Sequence, residues 1–123
     1  MADEKDQDLR PRTKAFALRM IKLYTSLPKS TEAQVIGKQV LRSGTSVGAQ
    51  FRESQRAKSD ADFINKLEGS LQELDETGYW LELLTESGIV PAEKLASLQA
   101  ETDELTAILV TIVTKVKKRI GKL

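Results

Sequence analysis

The 123 residues predict an all-α chain, a single domain folded as an antiparallel up-down-up-down four-helix bundle. Three observations carry that reading. Apolar residues recur at steps of three and four along most of the chain, the period of a helix with one buried face. Only three prolines and six aromatics are present, fewer turns and rings than a sheet protein uses. The breaks between periodic stretches are a few residues long, which sets consecutive helices side by side and antiparallel.

Residues 1–10 are polar and read as a flexible tail ahead of the first helix. That helix is expected over 11–27, with Pro11 in its first turn. Phe16, Met20, Leu23, Tyr24 and Leu27 form its stripe, and Leu27-Pro28 stops it, because the residue before a proline avoids the helical region. Thr31 and Gln34 have capping-box spacing and open a second helix over 32–57. Val35, Ile36, Val40, Val47 and Phe51 give it helical spacing, while Gly37, Leu41, Gly44 and Gly48 run down a neighbouring face. Gly44 would also serve as a helix end, since an internal glycine costs about 1 kcal/mol relative to alanine. One continuous helix is the preferred reading, with Gly37, Gly44 and Gly48 admitting another backbone at close range.

Ser59 with Asp62 marks the start of a third helix over 60–87, and Gly88 caps its end. Phe63, Leu67, Leu71, Leu74, Gly78, Leu81 and Leu84 form its stripe, with Ser70 beside Leu71. Pro91 begins a fourth helix over 91–120. There Leu95, Leu98, Thr102, Leu105, Leu109, Ile112 and Val116 alternate steps of three and four, as in a bundle seam. Residues 105–116, LTAILVTIVTKV, are apolar beyond that seam. Ile108, Val110 and Val113 lie off it, and a helix apolar on two faces calls for a second partner. The expected partner is another copy of the chain.

Composition removes several kinds of chemistry. Cysteine and histidine are absent, so thiolate catalysis, disulfides, imidazole bases and imidazole metal ligands are all unavailable. Glu73, Asp75, Glu76 and Glu82 lack the histidine that completes a helical di-iron site. Ser43, Thr45 and Ser46 stand among glycines without the spacing or the preceding strand of a phosphate loop. A non-enzymatic protein with no catalytic, cofactor-binding or metal site is the expectation. The amino-terminal segment has no apolar core, and no apolar run nears the roughly 20 residues of a membrane span, so a soluble, cytoplasmic protein with no membrane partner is expected.

The net charge of +1 is unevenly spread. Residues 59–88 hold one lysine against eight carboxylates, and the rest of the chain eighteen cations against ten. Two readings fit: a basic surface for nucleic acid, or an acidic helix packed beside basic ones in one monomer. Candidate nucleic-acid contacts are Arg42, Arg52, Arg56 and Lys58 on the second helix, and Lys115 and Lys118 on the fourth. On the second reading, Arg52 and Arg56 pair with third-helix carboxylates such as Glu73 or Glu76.

Residues 39–84 carry a longer signal. Leu41–Ala49 (LRSGTSVGA), Arg52-Glu53, Asp62–Leu67 (DFINKL) and Glu76–Leu84 (ETGYWLELL) resemble the signature of the four-helix-bundle proteins encoded in intervening sequences of bacterial large-subunit (23S) ribosomal RNA genes. Leu27-Pro28 fits as well. Gln50, Phe51 and Ser54 depart from the usual Asn, Tyr and Ala. The resemblance implies a bundle assembled as a ring, a homopentamer in family members. It also implies distant kinship with basic accessory proteins of diversity-generating retroelements, which bind a reverse transcriptase and nucleic acid. It gives no activity, and for this chain RNA or an RNA-associated protein is the partner it suggests.

Overall fold

The computed structural model of the chain describes residues 4–122 and contains α1 (Glu4–Ser26), α2 (Thr31–Ser54), α3 (Asp60–Glu86) and α4 (Ala92–Arg119), with no strand among the described residues. Each helix ends for a local reason. The Ser30 hydroxyl caps α2 by accepting from the Ala33 amide at 3.4 Å, and Ser59 caps α3 by accepting from Asp62 at 3.0 Å. Gly88, at φ +79°, turns the chain out of α3, and the amides of Ile89 and Val90 then reach back to the Leu84 carbonyl.

Three sequence expectations about the ends change. The start of α1 lies at Glu4, well before residue 11, so residues 4–10 of the expected tail are helical; residues 1–3 of it lie outside the described residues. Pro11 therefore sits inside the helix. Its missing N–H costs one backbone bond, but Leu9 joins the core at 1% exposure, and the burial offsets the loss. The α2 cap is Ser30 rather than Thr31, and Gln34 instead donates to the Pro28 carbonyl and accepts from the Tyr24 hydroxyl, both at 2.8 Å. At its other end α2 stops at Ser54, short of residue 57. It runs unbroken through Gly37, Gly44 and Gly48.

Side-chain pairs fix the topology. Arg10 meets Gln55 across α1 and α2, Thr77 meets Ser43 across α2 and α3, and Lys117 meets Glu68 across α3 and α4. Arg12 reaches Glu101 and Arg19 reaches Ser97, which closes α4 back onto α1. Every neighbouring pair is antiparallel. One core of twenty apolar residues runs through the middle, including the whole α4 seam except Thr102, which is buried beside it with its hydroxyl on the Leu98 carbonyl.

The four seams are not equivalent. On α2, Gly37, Gly44 and Gly48 are buried against α1. A Cβ at Gly37 would lie 2.5 Å from Leu27 Cδ1, one at Gly44 would overlap Met20, and one at Gly48 would lie 3.2 Å from Thr13 Cβ and 3.4 Å from its backbone oxygen. Between α1 and α4 the backbones stay farther apart, and long side chains bridge the gap. Arg12 makes a two-pronged contact with Glu101 at 2.8 Å per bond and touches Glu104 at 2.8 Å.

The bidentate contact holds the Glu101 carboxyl below its usual range, the hydrogen bond from Arg12 outweighing partial burial, and pushes the Arg12 guanidinium further toward its charged form. A carboxylate whose folded pKa is depressed stabilises fully above its unfolded value, about 4.3, and loses that contribution as pH falls through the folded value. Glu101→Gln is expected to cost about 1 kcal/mol at pH 7. Urea denaturation at pH 7 and at lower pH checks it: the gap to wild type should narrow as pH falls, and a gap that does not change would assign the effect to packing. The glycine seam gives a second expectation. Gly48→Leu should cost roughly 1–3 kcal/mol by overpacking. Gly78→Ala, whose Cβ would sit 3.8 Å from Thr102 Cγ2, should be neutral or stabilising by up to about 1 kcal/mol. Equal urea midpoints for the two variants would refute the close approach of α1.

Candidate functional site

Because α2 and α4 are both antiparallel to α3, their C-termini share one end of the bundle. That end gathers five of the six basic candidates. Arg52, Arg56 and Lys58 at the close of α2, and Lys115 and Lys118 in the last turns of α4, are all exposed and make no ion pair with the described residues. Their neighbours are neutralised internally: Lys117 by Glu68 and Arg119 by Asp60, each at 3.0 Å. An open groove between the start of α3 and the end of α4, lined by Ala61, Ile64, Asn65, Glu68, Lys117 and Lys122, holds the first of these pairs. Cations at two helix C-termini also complement the negative ends of both dipoles.

The sixth candidate stands apart. Arg42 lies at mid-helix and reaches across to Glu73 at 3.2 Å and to Glu76. The pairing expected of Arg52 and Arg56 thus belongs to Arg42. The faces of α2 explain why: Arg42, like Gln50, which reaches Glu73 at 3.4 Å, lies on the side that meets α3, whereas Arg52 leaves the helix on another face and Arg56 lies past its end at Ser54. Glu53 meets Lys66 instead, at 3.0 Å, and the contact raises the lysine's pKa.

The three residues expected to form a second apolar face on α4 separate as well. Val113 is buried at 6% exposure and Ile108 packs against the core, which leaves only Val110 exposed, at 47%. Val113 lies one turn before Lys117, which meets Glu68 of α3, and so falls on the side of α4 that α3 covers. Among the described residues, no group of three or more carboxylates is placed to hold a metal ion, and no helix is long and apolar enough to cross a membrane.

The most constrained polar groups sit between α2 and α3. The Ser43 hydroxyl donates to the Gln39 carbonyl at 2.8 Å and accepts from Thr77 at 2.9 Å, while the Ser70 hydroxyl donates to the Val47 carbonyl at 2.9 Å. All three side chains are fully buried. Sequence reasoning passed over this ladder, although its signal was present: Ser70 and Thr77 are one heptad apart on the apolar stripe of α3.

Residues 5–111 match the family described as 23S rRNA-intervening sequence protein. The chain belongs to that family. A solved structure from Bacteroides thetaiotaomicron, described as a protein with unknown function from the S23 ribosomal protein family, is 41% identical. The likeness covers 89% of this chain and 98% of the other, with a TM-score of 0.84. No curated protein matches the chain. Set on the fold, the signature resolves into bundle contacts. Arg42 spans to α3, Ser43 bonds Thr77, Gly44 and Gly48 admit α1, and Val47 fills the core. Its Ser43, Gly44 and Gly48 are buried in the packing between helices.

This assignment inverts the stability order that Arg52–Glu73 pairing implies. Arg42→Ala is expected to cost up to about 1 kcal/mol, and Arg52→Ala close to nothing. Thermal melts of the two variants compare them directly, and a larger loss at Arg52 would contradict the assignment.

Proposed function

We propose that the protein is a non-enzymatic, cytoplasmic scaffold that assembles with copies of itself into a ring, a pentamer by resemblance to its family, and that works with RNA or an RNA-associated protein. One observation supports this reading above others. The Leu41–Ala49 run of the signature is largely taken up in joining α1, α2 and α3, and what stays exposed, signature residues Arg52, Tyr79 and Glu82 among it, forms charged and apolar surfaces. Surfaces of that kind suit binding.

A second reading, direct RNA binding, is favoured by the basic end. Arg52 at the end of α2, Arg56 and Lys58 in the connection after it, and Lys115 and Lys118 on α4 converge by topology and are not neutralised by the described residues. Phosphate contacts of this number make affinity fall steeply with salt.

Light scattering at micromolar concentration, with filter binding of total RNA at two salt concentrations, tests both readings. The scaffold reading expects a mass of several chains, and a single-chain mass would sink it. Direct RNA binding expects retention at low salt that is lost at high salt and lost in an Arg52→Ala, Arg56→Ala, Lys58→Ala variant of wild-type stability. Retention unchanged in that variant would exclude the basic end.

A further inference from the structure

Two exposed stripes lie on opposite sides of the bundle. On α1, Lys14, Leu18, Ile21 and Thr25 follow steps of four, three and four, all exposed, with Lys22 alongside. Leu18 and Ile21 are large apolar residues at 56% and 47% exposure. From Leu9 to Thr31 the chain has no carboxylate. On α3, Asp75, Tyr79, Glu82 and Glu86 follow the same steps and are also exposed. Tyr79 is 54% exposed, yet its ring is set edge-on against Trp80 at 5.1 Å. Beside that stripe α4 presents Asp103, Ala107 and Val110, all exposed. None of these cations or carboxylates is ion-paired within the described residues.

We infer that the α1 stripe of one copy docks on the α3–α4 stripe of the next, Lys14 and Lys22 facing Asp75, Glu82 and Asp103 while Leu18 and Ile21 cover Tyr79 and Val110. The inference rests on the self-assembly reading above and deepens it by naming the contact. Each stripe has the same make-up, apolar residues flanked by charges of one sign, and the two signs are opposite. Within one chain they cannot meet, because α1 and α3 are diagonal across the bundle: α1 neighbours α2 and α4, and so does α3. A second copy is therefore the occupant that the charges select. The contact joins two different patches, so it is heterologous and leaves each copy with one stripe of each kind for its neighbours, the kind of contact from which rings are built when the rotation between copies closes.

Charge reversal tests it with the full chain. Lys14→Glu with Lys22→Glu makes both stripes acidic, and Asp75→Lys with Glu82→Lys sets lysines opposite Lys14 and Lys22. Each double variant should fall to the mass of a single chain in light scattering while circular dichroism shows helix content retained. The quadruple variant, reversed on both stripes, should recover the wild-type mass, an outcome that misfolding cannot produce. Wild type as a single chain would overturn the self-assembly reading and this contact with it. Wild type as an assembly, with both double variants also assembled, would overturn only the choice of faces, as would a quadruple variant that stays a single chain.

Discussion

Three absent side chains organise this bundle. At Gly37, Gly44 and Gly48 the surface of α2 is open to its backbone, and Leu27, Met20 and Thr13 of α1 fill the space. Each glycine weakens α2 as a helix by about 1 kcal/mol, so the helix persists because α1 lies close enough for dispersion and burial to offset that cost. The close seam also occupies one flank of α2 and leaves another for α3. With α1 held on one flank of α2, Ser43 and Arg42 turn to the other, where Thr77, Glu73 and Glu76 meet them. The fourth seam, between α4 and α1, then spans a wider gap and needs the reach of an arginine.

Helix content and core were legible because a 3.6-residue period survives in nearly every segment. Leu95 to Val116 could be counted off the chain, and those residues are buried. Helix ends depend on single bonds, and there the sequence misleads. Pro11 looks like a first-turn proline until the burial of Leu9 is known, and Thr31 looks like a cap until Ser30 is seen to make the bond. The partners of charged residues were legible only in kind. Acidic α3 was visibly meant for cations, but choosing Arg42 over Arg52 requires the face of α2 that meets α3, which is a property of two helices together.

The charge pattern has two layers. Arg12, Arg42, Lys66, Lys117 and Arg119 meet carboxylates across helix seams and contribute to the fold. Such half-exposed pairs are individually worth about 1 kcal/mol or less, so they select register more than they supply stability. The second layer lies outside: cations along α1 and at one end of the bundle, carboxylates along α3 and the start of α4. A near-neutral total conceals this polarity, and polarity is what an assembly of identical units can use, since each copy carries both halves of the contact.

All of this rests on how closely α1 approaches α2. The chain has no cysteine, so an introduced pair is free of competing thiols. In the structure a Cβ at position 48 lies 3.2 Å from that of residue 13, near the separation of about 3.5–4.5 Å at which disulfides form. Thr13→Cys with Gly48→Cys should oxidise within one chain under mild conditions and keep the helical circular-dichroism spectrum, as mass spectrometry of the non-reduced protein will read. Cysteines that stay reduced, or that link only between chains, would show that α1 does not lie on the glycine face.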